Sequence, residues 1–104
     1  MDIPNLRKRI DEIDRELVSL LNERARAAHA IGILKRSTQL PIYEPERERV
    51  IHDNVARINP GPLQNHELRQ IFERIVDVMR EIQKKEISPL DHYPGRPTEL
   101  EEND

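Results

Sequence analysis

The chain has no cysteine, which excludes disulfides and thiolate metal ligands and is compatible with a reducing compartment. Tryptophan is absent and aromatic residues make up 3% of the sequence, so packing falls to Leu, Ile, Val and Ala. Such side chains favour helices that meet over long seams. No apolar run approaches a membrane span, and Met1-Asp2-Ile3-Pro4 leads into a charged segment, not the apolar core of a signal peptide. A cytoplasmic location and no membrane partner are expected. Glycine-rich phosphate loops, internal repeats and the spacings of catalytic triads or metal sites are missing too. His29, His52, His66 and His92 are scattered and read as solvated residues. Neither a metal nor a cofactor is expected.

Charge is plentiful but unevenly placed. The formal net charge is −3, yet residues 88–104 alone sum to −4 through Asp91, Glu99, Glu101, Glu102 and Asp104 against Arg96. The remainder is nearly neutral and lacks the basic excess and stacking aromatics of nucleic-acid binders, so no nucleic-acid partner is expected. With 104 residues there is room for one domain. Folded alone it would bury only about 60–68% of its unfolded surface, and a second copy would add to a thin core.

The longest periodic stretch runs from Leu6 to Lys35 without proline. Leu6, Ile10, Ile13, Leu17 and Leu20 step by fours and threes, and the same step lands on Arg24 before continuing through Ala27, Ile31 and Leu34. An unpaired buried guanidinium is costly, so Arg24 in this seam implies either an internal carboxylate or an anionic ligand. Asn5 reads as the N-cap of this first helix. At about 1.5 Å per residue it spans about 45 Å, long enough to protrude from a compact monomer and to call for a partner chain. Ser37 to Glu44 reads as a loop, and Pro45 as the start of a second helix reaching about Ile58, with Val50, Ile51, Val55 and Ile58 on one face beside Arg47 and Glu48. Asn59-Pro60-Gly61-Pro62 stops it. A third helix runs from near Asn65 to about Glu86 on a face of Leu68, Ile71, Phe72, Ile75, Val78, Met79 and Ile82, with Gln83 at its edge. Residues 1–87 thus read as one all-α, three-helix domain. Residues 88–104, with three prolines and an acidic end, read as a disordered tail.

Polar residues that meet these apolar faces are Arg24, Lys35, Arg47, Glu48 and Gln83, with Arg7 just off the seam. Arg24 and Lys35 return to nearly one azimuth about 16 Å apart, within joint reach of long side chains. Arg7 lies about 25 Å along the helix from Arg24, so one small ligand meets both only if Arg7 comes from a second, antiparallel chain. Taken singly, Arg7, Lys35 and Arg47 read as solvated charges, and Arg24 with Glu48 as a buried ion pair fixing helix register.

Taken in order, Leu6-Arg7 with Ile10-Asp11, Leu20-Leu21-Asn22-Glu23-Arg24, Ile31-Gly32 with Lys35, Pro45-Glu46-Arg47-Glu48 and Ile71-Phe72 leading to Gln83 resemble the all-helical chorismate mutases of the AroQ class. The resemblance covers residues 6 to about 86. It implies an intertwined homodimer whose long first helices pair antiparallel, and conversion of chorismate to prephenate on the way to phenylalanine and tyrosine, without a cofactor. By the same resemblance Arg24 and the other chain's Arg7 clamp the two carboxylates, and Lys35 and Gln83 meet the ether oxygen. Glu48 accepts the ring hydroxyl, with Arg47 beside it pairing with Glu48. Lys35, Gln83, Arg24 and Glu48 are the expected catalytic residues, with Arg7 and Arg47 added for substrate binding. Glu44 and Met79 stand where relatives carry Asp and Ser, and neither is assigned a role. Two further readings stay open: an isochorismate pyruvate lyase on the same fold, and a non-catalytic helical module that binds a shikimate-pathway enzyme.

Overall fold

The computed structural model describes residues 1–87, and side-chain burial through residue 85. The tail expected at 88–104 lies outside the described residues. Three helices follow in order: α1 Ile3–Thr38, α2 Pro45–Ile58 and α3 Asn65–Ile87. Among the described residues there is no strand.

α1 extends beyond the predicted stretch at both ends. Its N-cap is Asp2, not Asn5: the Asn5 N–H donates to Asp2 Oδ1 at 3.0 Å, and Pro4 sits in the first turn, where a missing N–H costs nothing. At the other end Ser37 and Thr38 are helical, and their hydroxyls donate to the Leu34 carbonyl. Gln39 closes the helix in the left-handed conformation at φ 60°, donating its N–H to the Lys35 carbonyl. The start of α2 and the start of α3 fall at the expected residues. Asn59 stitches the connection between them, donating to the Leu63 carbonyl at 2.9 Å and to Asn65 Oδ1 at 2.7 Å and accepting from Gly61 N–H at 3.0 Å. Gly61 takes φ +78°, a region open to glycine, and Glu67 reaches back to the Gln64 N–H at 2.9 Å as an N-terminal cap of α3.

α3 packs against both other helices, whereas α1 and α2 do not pack directly on each other. The core is small: among the described residues Ala28, Val76 and Met79 are its buried apolar side chains. Val76 is absent from the predicted face of α3, and Ile71 and Val78, which that face includes, are exposed. The buried line has turned by part of a turn towards Val76, because α3 must meet α1 and α2 together.

Only the second half of α1 takes part, through Ala28, Gly32 and Lys35. Its first half is bare. Leu17 and Leu20 of the predicted seam are 50% and 59% exposed, and Leu6, Ile10 and Ile13 are exposed with them. His52 departs from the solvated reading: it is half-buried on α2, with Nδ1 enclosed and unpartnered among the described residues.

Candidate active site

Three helical faces converge on one cavity of about 410 Å³. From α1 come Arg24, Ala28, Ile31 and Lys35; from α2 and the residue before it, Glu44, Arg47, Glu48 and Ile51; from α3, Val76, Met79, Arg80 and Gln83. Each set repeats at three or four residues, so each helix contributes a single stripe. Five of the predicted residues, Arg24, Lys35, Arg47, Glu48 and Gln83, line this cavity together. Arg7 does not. It lies near the far end of α1, on the exposed half.

Lys35 is the most enclosed charge, 6% exposed. An ammonium has three N–H donors, and all three are engaged: with the Ile42 carbonyl at 3.1 Å, Gln83 Oε1 at 2.8 Å and Glu44 Oε1 at 3.0 Å. The contact with Gln83 also orients the amide. Its oxygen faces the ammonium, so its NH₂ remains to donate elsewhere. Glu44, left without a role by the sequence, therefore supplies the carboxylate on Lys35, and its side chain is half-exposed.

Glu48 pairs with Arg80, not with Arg47. Arg80 Nε lies 3.0 Å from Glu48 Oε2, and its Nη2 lies 2.9 Å from Oε1 and 2.7 Å from Oε2. The guanidinium is fixed from two more sides: Asp77 is 3.5 Å away, and the Tyr43 ring centroid lies 5.2 Å from Cζ. Hydrogen bonding to Glu48 raises the Arg80 pKa above its ordinary value; burial opposes this, and the charges of Glu48 and Asp77 reinforce it. Sequence reasoning missed Arg80. The signal was the spacing 76, 79, 80, 83, which puts it on the same stripe as Met79 and Gln83.

With Glu48 and Glu44 so engaged, neither Arg24 nor Arg47 has a carboxylate partner among the described residues. Burial first, and then the positive charge of Arg47, lower the Arg24 pKa from its ordinary value. A guanidinium stays protonated regardless, so the pair stores repulsion. The cavity wall holds four cations, Arg24, Lys35, Arg47 and Arg80, against two carboxylates, Glu44 and Glu48. An excess of two positive charges suits a dianion. Among the described residues no group of His, Asp and Glu is placed to hold a metal, and no helix is long and apolar enough to cross a membrane.

The sequence model of chorismate mutase type II matches residues 6–84, a span that contains every residue of the cavity. The chain belongs to the chorismate mutase type II family. A bifunctional chorismate mutase/prephenate dehydratase of Aquifex aeolicus (strain VF5) is 40% identical over 88 residues, 81% of this chain and 24% of that protein. The chain thus spans about a quarter of the length of that curated relative. Solved chorismate mutases align over nearly their whole length. Form II of the Thermus thermophilus chorismate mutase superposes with a TM-score of 0.77 at 33% identity, covering 79% of this chain and 93% of that one. The Helicobacter pylori chorismate mutase, solved in complex with prephenate, gives 0.74 at 29%, covering 82% and 92%. The all-α, three-helix architecture is the family's.

Proposed function

We propose that this cavity rearranges chorismate to prephenate, and the observation that carries the reading is the unpartnered pair Arg24 and Arg47 beside Lys35 and an oriented Gln83. Chorismate is a dicarboxylate, and two guanidinium groups without carboxylate partners, Arg24 half-buried and Arg47 exposed at the cavity wall, favour such a ligand. The reaction is unimolecular: one C–O bond breaks as one C–C bond forms, with no covalent bond to protein and no proton transfer. The protein's tasks are to hold the extended substrate in its chair-like conformer and to meet the charge that builds on the ether oxygen. Arg24 grips a carboxylate. Lys35 and the free NH₂ of Gln83 face the ether oxygen, and Glu48, steadied by Arg80, accepts the ring hydroxyl. Lys35 can turn a donor to substrate once the half-exposed Glu44 lets go.

The site is proposed to be completed by a second chain. The bare row Leu6, Ile10, Ile13, Leu17 and Leu20 supplies an apolar surface for an antiparallel copy of α1, and that pairing carries the partner's own Arg7 towards this cavity to grip the other carboxylate. The Aquifex relative joins a chorismate mutase to a prephenate dehydratase in its name, and the present chain is proposed to hand its product to an enzyme of the same pathway.

The test is the loss of chorismate absorbance with formation of prephenate, run beside isochorismate as an alternative substrate. Turnover of chorismate without pyruvate release is expected. A folded protein that leaves chorismate intact, or that releases pyruvate from isochorismate instead, would sink the proposal.

A further inference from the structure

We infer that Arg80 is a positioning residue: by holding Glu48 in a fork it keeps that carboxylate aimed at the substrate's ring hydroxyl and away from Arg47 and Arg24. The inference rests on the reading of the cavity as a chorismate mutase site. It starts from a mismatch. Glu48 follows Arg47 directly on α2, both line the cavity, and yet the carboxylate bonds across to α3 through three contacts of 2.7–3.0 Å.

Planar guanidinium geometry explains the choice. Arg80 presents Nε and Nη2 on one edge, matching both carboxylate oxygens at once, and its own plane is set by Tyr43 on one side and Asp77 on another. Two of the three contacts fall on Glu48 Oε2 and one on Oε1, so Oε1 keeps a lone pair for one further donor, which is what a hydroxyl requires. Without Arg80, Glu48 would be a mobile anion beside two cations that have no carboxylate of their own. It would neutralise one of them. The cavity would then lose an oriented hydroxyl acceptor and an open carboxylate grip in a single step.

The experiment compares chorismate with its analogue lacking the ring hydroxyl, in the parent, Arg80→Gln, Arg80→Lys, Glu48→Gln and the Glu48→Gln/Arg80→Gln double variant. A hydrogen bond to a charged acceptor is expected to give the parent a preference of about 10- to 100-fold in kcat/KM for chorismate over the analogue. In Arg80→Gln that preference should collapse to the value in Glu48→Gln, KM for chorismate should rise, and the second substitution should add little to the first. Arg80→Lys keeps the charge without the fork and should fall between. It also serves as the reading if Arg80→Gln does not fold. A purely structural role for Arg80 would depress both substrates alike, leave the preference intact and let the two substitutions add in full, and that result would overturn the inference. A parent that turns over neither substrate instead overturns the functional reading beneath it.

Discussion

Replacing Gln83 by Glu changes one group and little of the shape. In the parent, the Gln83 oxygen accepts from Lys35 Nζ at 2.8 Å and the NH₂ is left to donate to the ether oxygen. In Gln83→Glu one carboxylate oxygen keeps the ammonium, and the other faces the ether oxygen without a proton. To donate, the new side chain must be protonated. From an unperturbed value near 4.3, neutrality at pH 7 costs about 3.7 kcal/mol, or roughly 500-fold in rate. Lys35 at 2.8 Å stabilises the ionised form and deepens the loss, by about tenfold for each unit that the pKa drops, whereas desolvation in the partly buried pocket favours the neutral form and softens it.

The pH dependence then has a fixed sign. Activity of the variant relative to the parent should climb about tenfold per unit as pH falls from 7, until the new carboxyl's pKa is reached. Stability should move the other way. A carboxylate whose pKa is lowered in the folded state by Lys35 contributes stability above its unfolded pKa, and that contribution is lost as pH falls through the folded one. The assay is kcat against pH for both proteins, with melting temperatures at the same pH values. A variant with parental rate at pH 7 and a flat ratio to the parent would show that Gln83 donates nothing to the reacting oxygen.

Glu44→Gln removes the exposed carboxylate that occupies Lys35 and should lower KM for chorismate by about two- to fivefold, the range for an exposed ion pair; a raised KM would mean that Glu44 aligns Lys35 and does not compete for it. Mixing Arg7→Ala with Arg24→Ala chains under exchange should rebuild about a quarter of the parental activity per site, because half the dimers are mixed and each holds one intact site. Mixtures that exchange yet stay as inactive as either variant alone would contradict a shared site.

Much of this was legible in the residues, and the misses have a common physical origin. Periodicity located three helices and set Arg24, Lys35, Arg47, Glu48 and Gln83 against their apolar faces; the resemblance gathered them into one site, and all five line one cavity. What periodicity does not encode is azimuth between helices. Whether Glu48 meets Arg47 or Arg80 depends on how α3 is rotated against α2, and a rotation that buries Val76 in place of Ile71 also brings Arg80 to the carboxylate. The N-cap was misplaced for a local reason: Asp2 and Asn5 are both good caps, and Pro4 between them is as comfortable within the first turn as before it. Glu44 was passed over because it stands where relatives carry Asp and lies in a loop that no periodicity orients, whereas here its side chain reaches Lys35.

The bare apolar row on α1 would make protein concentration a variable of the site if, as proposed, a second copy covers it. If that row closes only on a second copy, folding is second order, and each tenfold dilution removes about 1.4 kcal/mol of stability per assembled pair. Melting temperature then has no single value, and specific activity declines on dilution along the same curve as helix content. Product and substrate analogues, by binding only the assembled form, would act as glue and shift that curve towards lower concentration.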